Sequence, residues 1–391
     1  MHILKGYTKQ EISWMMYDWA NSAHSVIIVT LLPIFFDTVA GYTADSVSSM
    51  STWGYATSIA MLIVALAAPF LGVFGDIRGM RKKLFSFFML LGVAACAGMA
   101  FTPGMDFTSG PVAAGKVASL ILVLYIVSVI GFDASAIYYD AFLTDVTTED
   151  RMDKVSTMGY GLGYIGGSTI PLLIFLIMNL VGVPMLTCLA FVFGLTAVWW
   201  LAFSLPLLKN CEQTSGKPYE KGDVARSIKG VGTTIKEIIA NKPMLIYILS
   251  YFFYIDGVHT VISMATTYGT NLGLDSTGMM LALLLVQILG LPFCLLYIKC
   301  SEKFGARTMV GFGICVYMFI CIFAFFMNSL WQFWVLAIFV GMFQGGIQAL
   351  SRSYFAKIVP PERSGEYFGL MDICGKGASF MGTTVGGLTS Q

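Results

Sequence analysis

Residues 76–81 read Asp76-Ile77-Arg78-Gly79-Met80-Arg81, and residues 302–307 read Glu302-Lys303-Phe304-Gly305-Ala306-Arg307. Both are acidic-x-x-Gly-x-Arg, and each lies in a short polar loop between two long apolar runs. Two more matches keep the same order. Ala23-His24-Ser25-Val26-Ile27 is answered by Val258-His259-Thr260-Val261-Ile262, and Asp150-Arg151 by Glu362-Arg363. One such match means little. Three in one order mark an internal duplication.

The apolar runs around these loops have the length of membrane-crossing helices. The chain has 391 residues, of which 57% are hydrophobic and only 12% charged, with a mean hydropathy of +0.77. A soluble domain of this size could not cover so much apolar surface. The runs predict helices at 14–36, 52–74, 84–102, 117–142, 155–180, 185–206, 244–268, 277–299, 308–327, 331–356 and 367–390. In lipid the backbone must satisfy its own hydrogen bonds, so helices are the economical reading. The first run is interrupted by Asp18, Asn21 and His24 and has no small-residue cleavage site, so it is read as a retained helix. The eight cysteines form no Cys-x-x-Cys pair and are expected to pack as small hydrophobes.

Orientation follows from lysine and arginine. Of the 23 basic residues, only Lys116 falls in the loops expected on one side. Arg78, Arg81, Lys82, Lys83, Arg151, Lys154, Lys299, Lys303 and Arg307 fall in loops on the other. That asymmetry predicts a cytoplasmic N-terminus. The chain divides into 1–208, a linker at 209–243 and 244–391. Within the linker, Ile228, Val231, Ile235, Ile238 and Ile239 recur at helical spacing, as in an amphipathic helix lying on the membrane surface.

Two six-helix units in parallel repeat resemble the plan of the major facilitator superfamily, an all-α membrane fold. Gly72-x-x-x-Asp76-x-x-Gly79-x-Arg81-Lys82 resembles that superfamily's signature between its second and third helices, although Ile77 stands where a basic residue is usual. The resemblance implies a cytoplasmic gate, repeated at Glu302, Gly305 and Arg307, in which acidic helix ends and basic side chains pair across the halves. A narrower resemblance rests on Tyr17-Asp18-Trp19-Ala20-Asn21-Ser22, on Gly159-x-Gly161-x-Gly163-Tyr164-Ile165-Gly166-Gly167, on Asp256-Gly257-Val258-x-Thr260, and on Gln348-Ala349-Leu350-Ser351-Arg352-Ser353 running to Pro360-Pro361-Glu362-Arg363. These look like the vacuole-effluxer-like branch, whose fungal members are associated with amino-acid export after autophagy. The plan implies twelve helices, so a twelfth is expected to be missing after Gln391.

Polar residues concentrate in the first, fourth, seventh and tenth spans, which line the central cavity in that superfamily. The first carries Asp18, Asn21, Ser22 and Ser25 on one face, with His24 at its border. The fourth carries Asp133 and Asp140, and the seventh Asp256, His259, Thr260, Ser263 and Thr267. The tenth carries Gln344, Gln348 and Ser351, with Arg352 near the cytoplasmic end. A charge at mid-membrane costs roughly 2.5–3.5 kcal/mol on insertion scales, so these residues ask for a role. Asp256, about 18 Å along its helix, is the leading proton-coupling candidate, with His259 as a relay. Asp18, Asp140 and Arg352 read as a gate network. Asn21, Gln344 and Gln348 could bind the polar head of a substrate. Asp372 and Lys376, four apart, read as a structural ion pair. Gly159, Gly163 and Gly167 permit close helix contact at the boundary between halves. The string Gly161-x-Gly163-x-x-Gly166 is not a dinucleotide fingerprint, because no strand precedes it.

The expected function is secondary active transport of a small polar or zwitterionic solute, amino acids or small peptides among them. Alternating access, proton coupling and export are the expected mechanism. The alternative is a non-transporting receptor or scaffold. No enzyme constellation, metal site or cofactor is expected, and the near-zero net charge gives no reason to expect nucleic acid. The expected partners are the bilayer, a small-molecule substrate and H+, with the protein a monomer. It would sit in the plasma membrane if bacterial, or in a vacuolar or other membrane if eukaryotic.

Overall fold

The glycines of the duplicated motif have a structural reason. In the computed structural model of the chain, which describes the backbone of residues 4–43, 49–218 and 223–389, Gly79 and Gly305 both adopt φ of +82°. A Cβ at either position would meet no atom within 4 Å. Glycine is needed there for the backbone hand of the turn, not for space. Each turn reverses the chain between two long helices.

Eleven long helices are present among the described residues: α1 Lys9–Ala40, α2 Ser49–Gly75, α3 Arg81–Met99, α4 Pro111–Ala141, α5 Met152–Leu180, α6 Met185–Asn210, α7 Lys242–Asn271, α8 Ser276–Phe304, α9 Ala306–Phe325, α10 Leu330–Ile358 and α11 Ser364–Thr389. The first ten contain stretches long and apolar enough to cross a bilayer. The eleventh has the length, but its side chains beyond Gly377 lie outside the described residues. A separate linker helix, Asp223–Ala240, precedes α7. It buries Val231 and Ile238 while Ile235 and Ile239 stay exposed, which leaves an apolar edge facing outward.

At its start α1 runs past its apolar core because a cap extends it. At α1 the Thr8 side chain accepts from the Glu11 backbone N–H at 3.1 Å, and Glu11 accepts from the Thr8 N–H at 2.7 Å. This capping box moves the start to Lys9, five residues before the apolar run begins. Ser329 and Gln332 repeat the device at α10. Glu11 also binds Arg151 at 2.7 Å and Thr147 at 2.7 Å, which ties the start of α1 to the segment before α5.

Chain order puts residues 4–8, both motif loops, the linker and the segment 359–363 on one face of the bundle, called here the N-terminal face. Two apolar cores form, one mainly in the first six helices and one mainly in α7 to α10. The halves meet where α5 packs on α8 and α10, and where α11 packs on α2 and α4.

Small residues set two of these approaches. In α5, residues Gly163–Thr169 form a π-helical turn, with the Thr169 hydroxyl donating to the Tyr164 carbonyl at 2.8 Å. A Cβ on Gly159, Gly163 or Gly167 would strike Asp18, Ser22 or the Trp19 carbonyl of α1. This corrects the expectation that these three glycines face the other half: they seat α5 against α1. Gly161 does face the other half, against Leu291 and Cys294. Between α2 and α11, a Cβ on Gly72 would lie 2.1 Å from the Gly365 carbonyl oxygen.

Gly72→Leu should therefore force α2 and α11 apart and lower the melting temperature of the purified protein by several degrees. Gly230→Ala, in the linker helix with nothing within 4 Å, should leave it unchanged or raise it slightly.

Candidate functional site

Arg352 emerges from α10 about 9 Å from its end on the N-terminal face and crosses into the first half. Its Nη2 donates to Asp18 at 3.0 Å and its Nη1 to Asp140 at 3.2 Å. Its Nε donates to the Ser156 hydroxyl at 2.9 Å, and Nη2 also reaches the Ser156 carbonyl at 3.1 Å. The Ser156 hydroxyl donates in turn to the Ala349 carbonyl at 2.8 Å. The guanidinium lies over the rings of Tyr160 at 4.5 Å, Trp14 at 4.6 Å and Tyr139 at 5.2 Å. One cation thus joins α10 to α1, α4 and α5. A planar fork with several donors suits this better than a lysine would, and the aromatic faces offset part of its desolvation.

A second tie lies at the rim. Asp76 accepts the backbone N–H groups of Gly365 at 2.7 Å and Glu366 at 2.8 Å, so it caps α11 from the other half. Arg81, fully buried, pairs with Asp76 at 3.0 Å and with Asp145, and donates to the Ser364 hydroxyl at 2.8 Å. The expected pairing of acidic ends with basic side chains across the halves is corrected here. The acidic residue meets backbone donors across the boundary, and the basic one pairs within its own half. Lys82, in the first turn of α3, forms no ion pair among the described residues.

The linker adds to this tie. Gln213 donates to the Gly75 carbonyl at 3.0 Å and accepts from the Gly79 N–H at 2.9 Å. Asp145 accepts the N–H groups of Thr214 at 3.0 Å and Ser215 at 2.8 Å. In the linker helix Glu237 pairs with Arg363 at 2.7 Å, and Thr234 bonds Glu366. Asp145, Gln213 and Ser364 escaped the sequence reading, since isolated polar loop residues carry no spacing signal.

The duplicate motif does not repeat the contact. Glu302 and Arg307 are exposed and form no ion pair among the described residues. Glu302 instead borders a cleft with Asp150, Arg151, Asp153, Lys154 and Ser301. Asp153 there binds Lys357 at 2.6 Å and Ser353 at 2.7 Å, from α10.

Deeper in the bundle, about 12–18 Å from the N-terminal face, Lys376 of α11 meets Asp133 of α4 at 3.8 Å, while Lys376 also pairs with Asp372 on its own helix. The sequence reading found the second pair but not the first.

His24 is a correction. It is buried against Ser128, 3.2 Å from its hydroxyl, and stacks on Phe132 at 4.7 Å, so it packs inside the first half, away from the boundary. Asn21 is buried, and Ser22 donates to the Asp18 carbonyl at 2.7 Å. Gln344 and Gln348 are half-buried on α10, without hydrogen-bond partners among the described residues. Asp256, His259 and Thr260 are half-buried on α7. The side chains of Ser263 and Thr267 lie outside the described residues.

Comparisons with known proteins give the chain's family and fold. The family described as "Vacuole effluxer Atg22 like" matches residues 42–391. The MFS-type transporter YxiO of Bacillus subtilis is 41% identical over 397 aligned residues, which cover all of this chain and 90% of that one. Autophagy-related protein 22-1 of Penicillium rubens is 24% identical over 264 residues, 61% of this chain and 44% of that one. Among solved structures, the proton:xylose symporter XylE superposes with a TM-score of 0.70 at 16% identity, covering 97% of this chain and 87% of that one. A bacterial homologue of the iron transporter ferroportin, in an outward-facing state, gives 0.69 at 17% identity, covering 98% and 92%. At such identities these two establish the fold.

Burial pushes the Asp76 carboxyl up to about 7, against the lowering pull of Arg81 and of the two backbone donors, with nearby Glu366 also raising it. When the rim opens onto water, the carboxyl returns to the ordinary range near ~3.9. The closed rim therefore binds the proton more tightly. Its advantage is present at low pH and is lost as pH rises from about 4 through 7. Hydrogen exchange at Gly365 and Glu366, corrected for intrinsic rate, should show protection falling between about pH 4 and pH 7 and levelling above it. In Asp76→Asn the protection should no longer vary with pH.

Proposed function

The chain belongs to the vacuole effluxer Atg22-like family of major facilitator superfamily transporters, and from that premise we propose that it exports a small zwitterionic solute by alternating access, driven by protons. It is a multi-pass membrane transporter. The observation that carries the mechanism is the Arg352 clamp, a buried cation of the second half held by two carboxylates of the first. Such a contact has two discrete states, made or broken, and so suits a switch between accesses better than a fixed brace.

The N-terminal face is the cytoplasmic one on this reading, supported by the basic residues in its loops. The conformation is then closed to the cytoplasm. Transport requires Arg352 to leave Asp18 and Asp140, and Asp76 to leave α11. Leaving a buried charge unpaired costs about 3–5 kcal/mol, so binding energy, a proton or both must compensate. Protonation of Asp18 or Asp140 would release the arginine. Asp256 and His259, half-buried on α7, would carry the coupling proton. Solute would leave the cytoplasm as H+ enters, and a monomer suffices, since the Arg352 clamp and the Asp76 rim contact are complete within one chain.

Proteoliposomes test the proposal. Purified protein should catalyse saturable flux of labelled amino acids that accelerates when a pH gradient is imposed against the direction of solute movement. Asp256→Asn should keep solute exchange at zero gradient while losing at least tenfold of the gradient-driven component. Flux indifferent to the gradient in the wild type would remove proton coupling from the account.

A further inference from the structure

Every guanidinium nitrogen of the Arg352 clamp has an acceptor, but the cluster deeper in the bundle leaves one carboxylate oxygen over. Lys376 and Asp372 on α11 face Asp133 on α4, about 12–18 Å from the ends of these helices on the N-terminal face. Two carboxylates surround one ammonium, so the cluster carries a net charge of −1 at a depth where uncompensated charge is expensive. Lys376 sits tightly against Asp372 but only 3.8 Å from Asp133, too far for a hydrogen bond. The second carboxylate oxygen of Asp372 is buried with no hydrogen-bond partner among the described residues.

The cluster also touches open space. The side chains of Lys376, Asp133 and Asp372 are 13%, 19% and 22% exposed, although α4 and α11 pack together at the boundary between halves. Tyr251 from α7 brings its hydroxyl and ring edge to Gly375, between Asp372 and Lys376 in sequence.

We infer that Asp133, Asp372 and Lys376 form the recognition site for the two charged ends of an α-amino acid. The substrate ammonium spans Asp133 on α4 and the vacant acceptor of Asp372 on α11, and the carboxylate takes Lys376, which gives up its loose contact with Asp133. The inference rests on the zwitterionic cargo proposed above and sharpens it: both charges are read by one cluster that spans the halves. Occupancy replaces a direct bond across the boundary with one through the substrate. Lys376 is then more than the structural partner of Asp372 that a spacing of four suggests.

The test uses pairs of solutes that differ only by the carboxylate: leucine and isoamylamine, tyrosine and tyramine, lysine and cadaverine. Each is offered to full-length protein in proteoliposomes, with labelled amino acid as the reporter. The wild type should take the amino acid of at least one pair at tenfold or more lower concentration than its amine. Lys376→Gln should bring that ratio below threefold by weakening the amino acid alone. The exchange Asp133→Lys with Lys376→Asp keeps an ion pair between α4 and α11, and it should restore thermal stability without restoring selectivity. An unchanged ratio in Lys376→Gln, or full recovery of selectivity in the exchanged pair, overturns the site while leaving the cargo class standing. A wild type that moves no amino acid overturns the cargo class and the site with it.

Discussion

The guanidinium of Arg352 is the group on which the arrangement of the halves depends. It is 4% exposed, it belongs to α10, and the carboxylates that neutralise it belong to α1 and α4. A buried cation of this kind cannot be left alone in the interior. The neighbouring sequence is arranged around that constraint. Gly159 leaves room for Asp18, which would be struck by any Cβ there. Ser156 satisfies Nε of the arginine and bonds back to α10. Trp14, Tyr139 and Tyr160 supply aromatic faces where water would otherwise be needed.

Closure of the N-terminal face divides between two kinds of contact. On the axis it is ionic. At the rim it is a helix cap donated across the boundary, with Asp76 meeting the first free N–H groups of α11. A cap needs the helix end within hydrogen-bond distance, and the glycine pair Gly72 and Gly365 allows that approach. The linker holds both partners of the rim contact. Gln213 and residues 214–217 brace the loop that carries Asp76, and the linker helix braces Arg363 and Glu366. The rim thus reports on the linker as well as on the transport pathway. The second copy of the motif contributes its turn, through Gly305 at the same φ as Gly79, without its contact.

Much of this was legible in the sequence, because duplication and hydrophobic periodicity are local signals. They placed every helix to within a few residues and marked the faces carrying Asp18, Asp140 and Arg352. What sequence cannot supply is the rotation of one helix against another. His24 shares a turn with the polar stripe of α1, yet it points to Ser128 and Phe132 of the same half. Gly163 and Gly167 share a face that meets α1, whereas Gly161, two residues away, meets α8. Lys376 has an obvious partner at spacing four, and its partner across the boundary has no sequence relation to it at all. The start of α1 was misjudged because the cap Thr8 with Glu11 carries it beyond its apolar run, and α4 starts at Pro111, six residues before its expected 117, without a side-chain cap.

The central claim, that Arg352 holds the N-terminal face closed, is tested most directly by distances between spin labels on a cysteine-free background. One pair is placed at the exposed positions Lys83 and Lys303 on that face, and a second at the exposed positions Phe101 and Phe326 on the opposite face. With Arg352 in place, the first pair should give a short, narrow distribution. In Arg352→Gln that distribution should lengthen by several ångströms while the second pair shortens. If both pairs keep their wild-type distributions in Arg352→Gln, the arginine does not control access and the account is wrong at its centre.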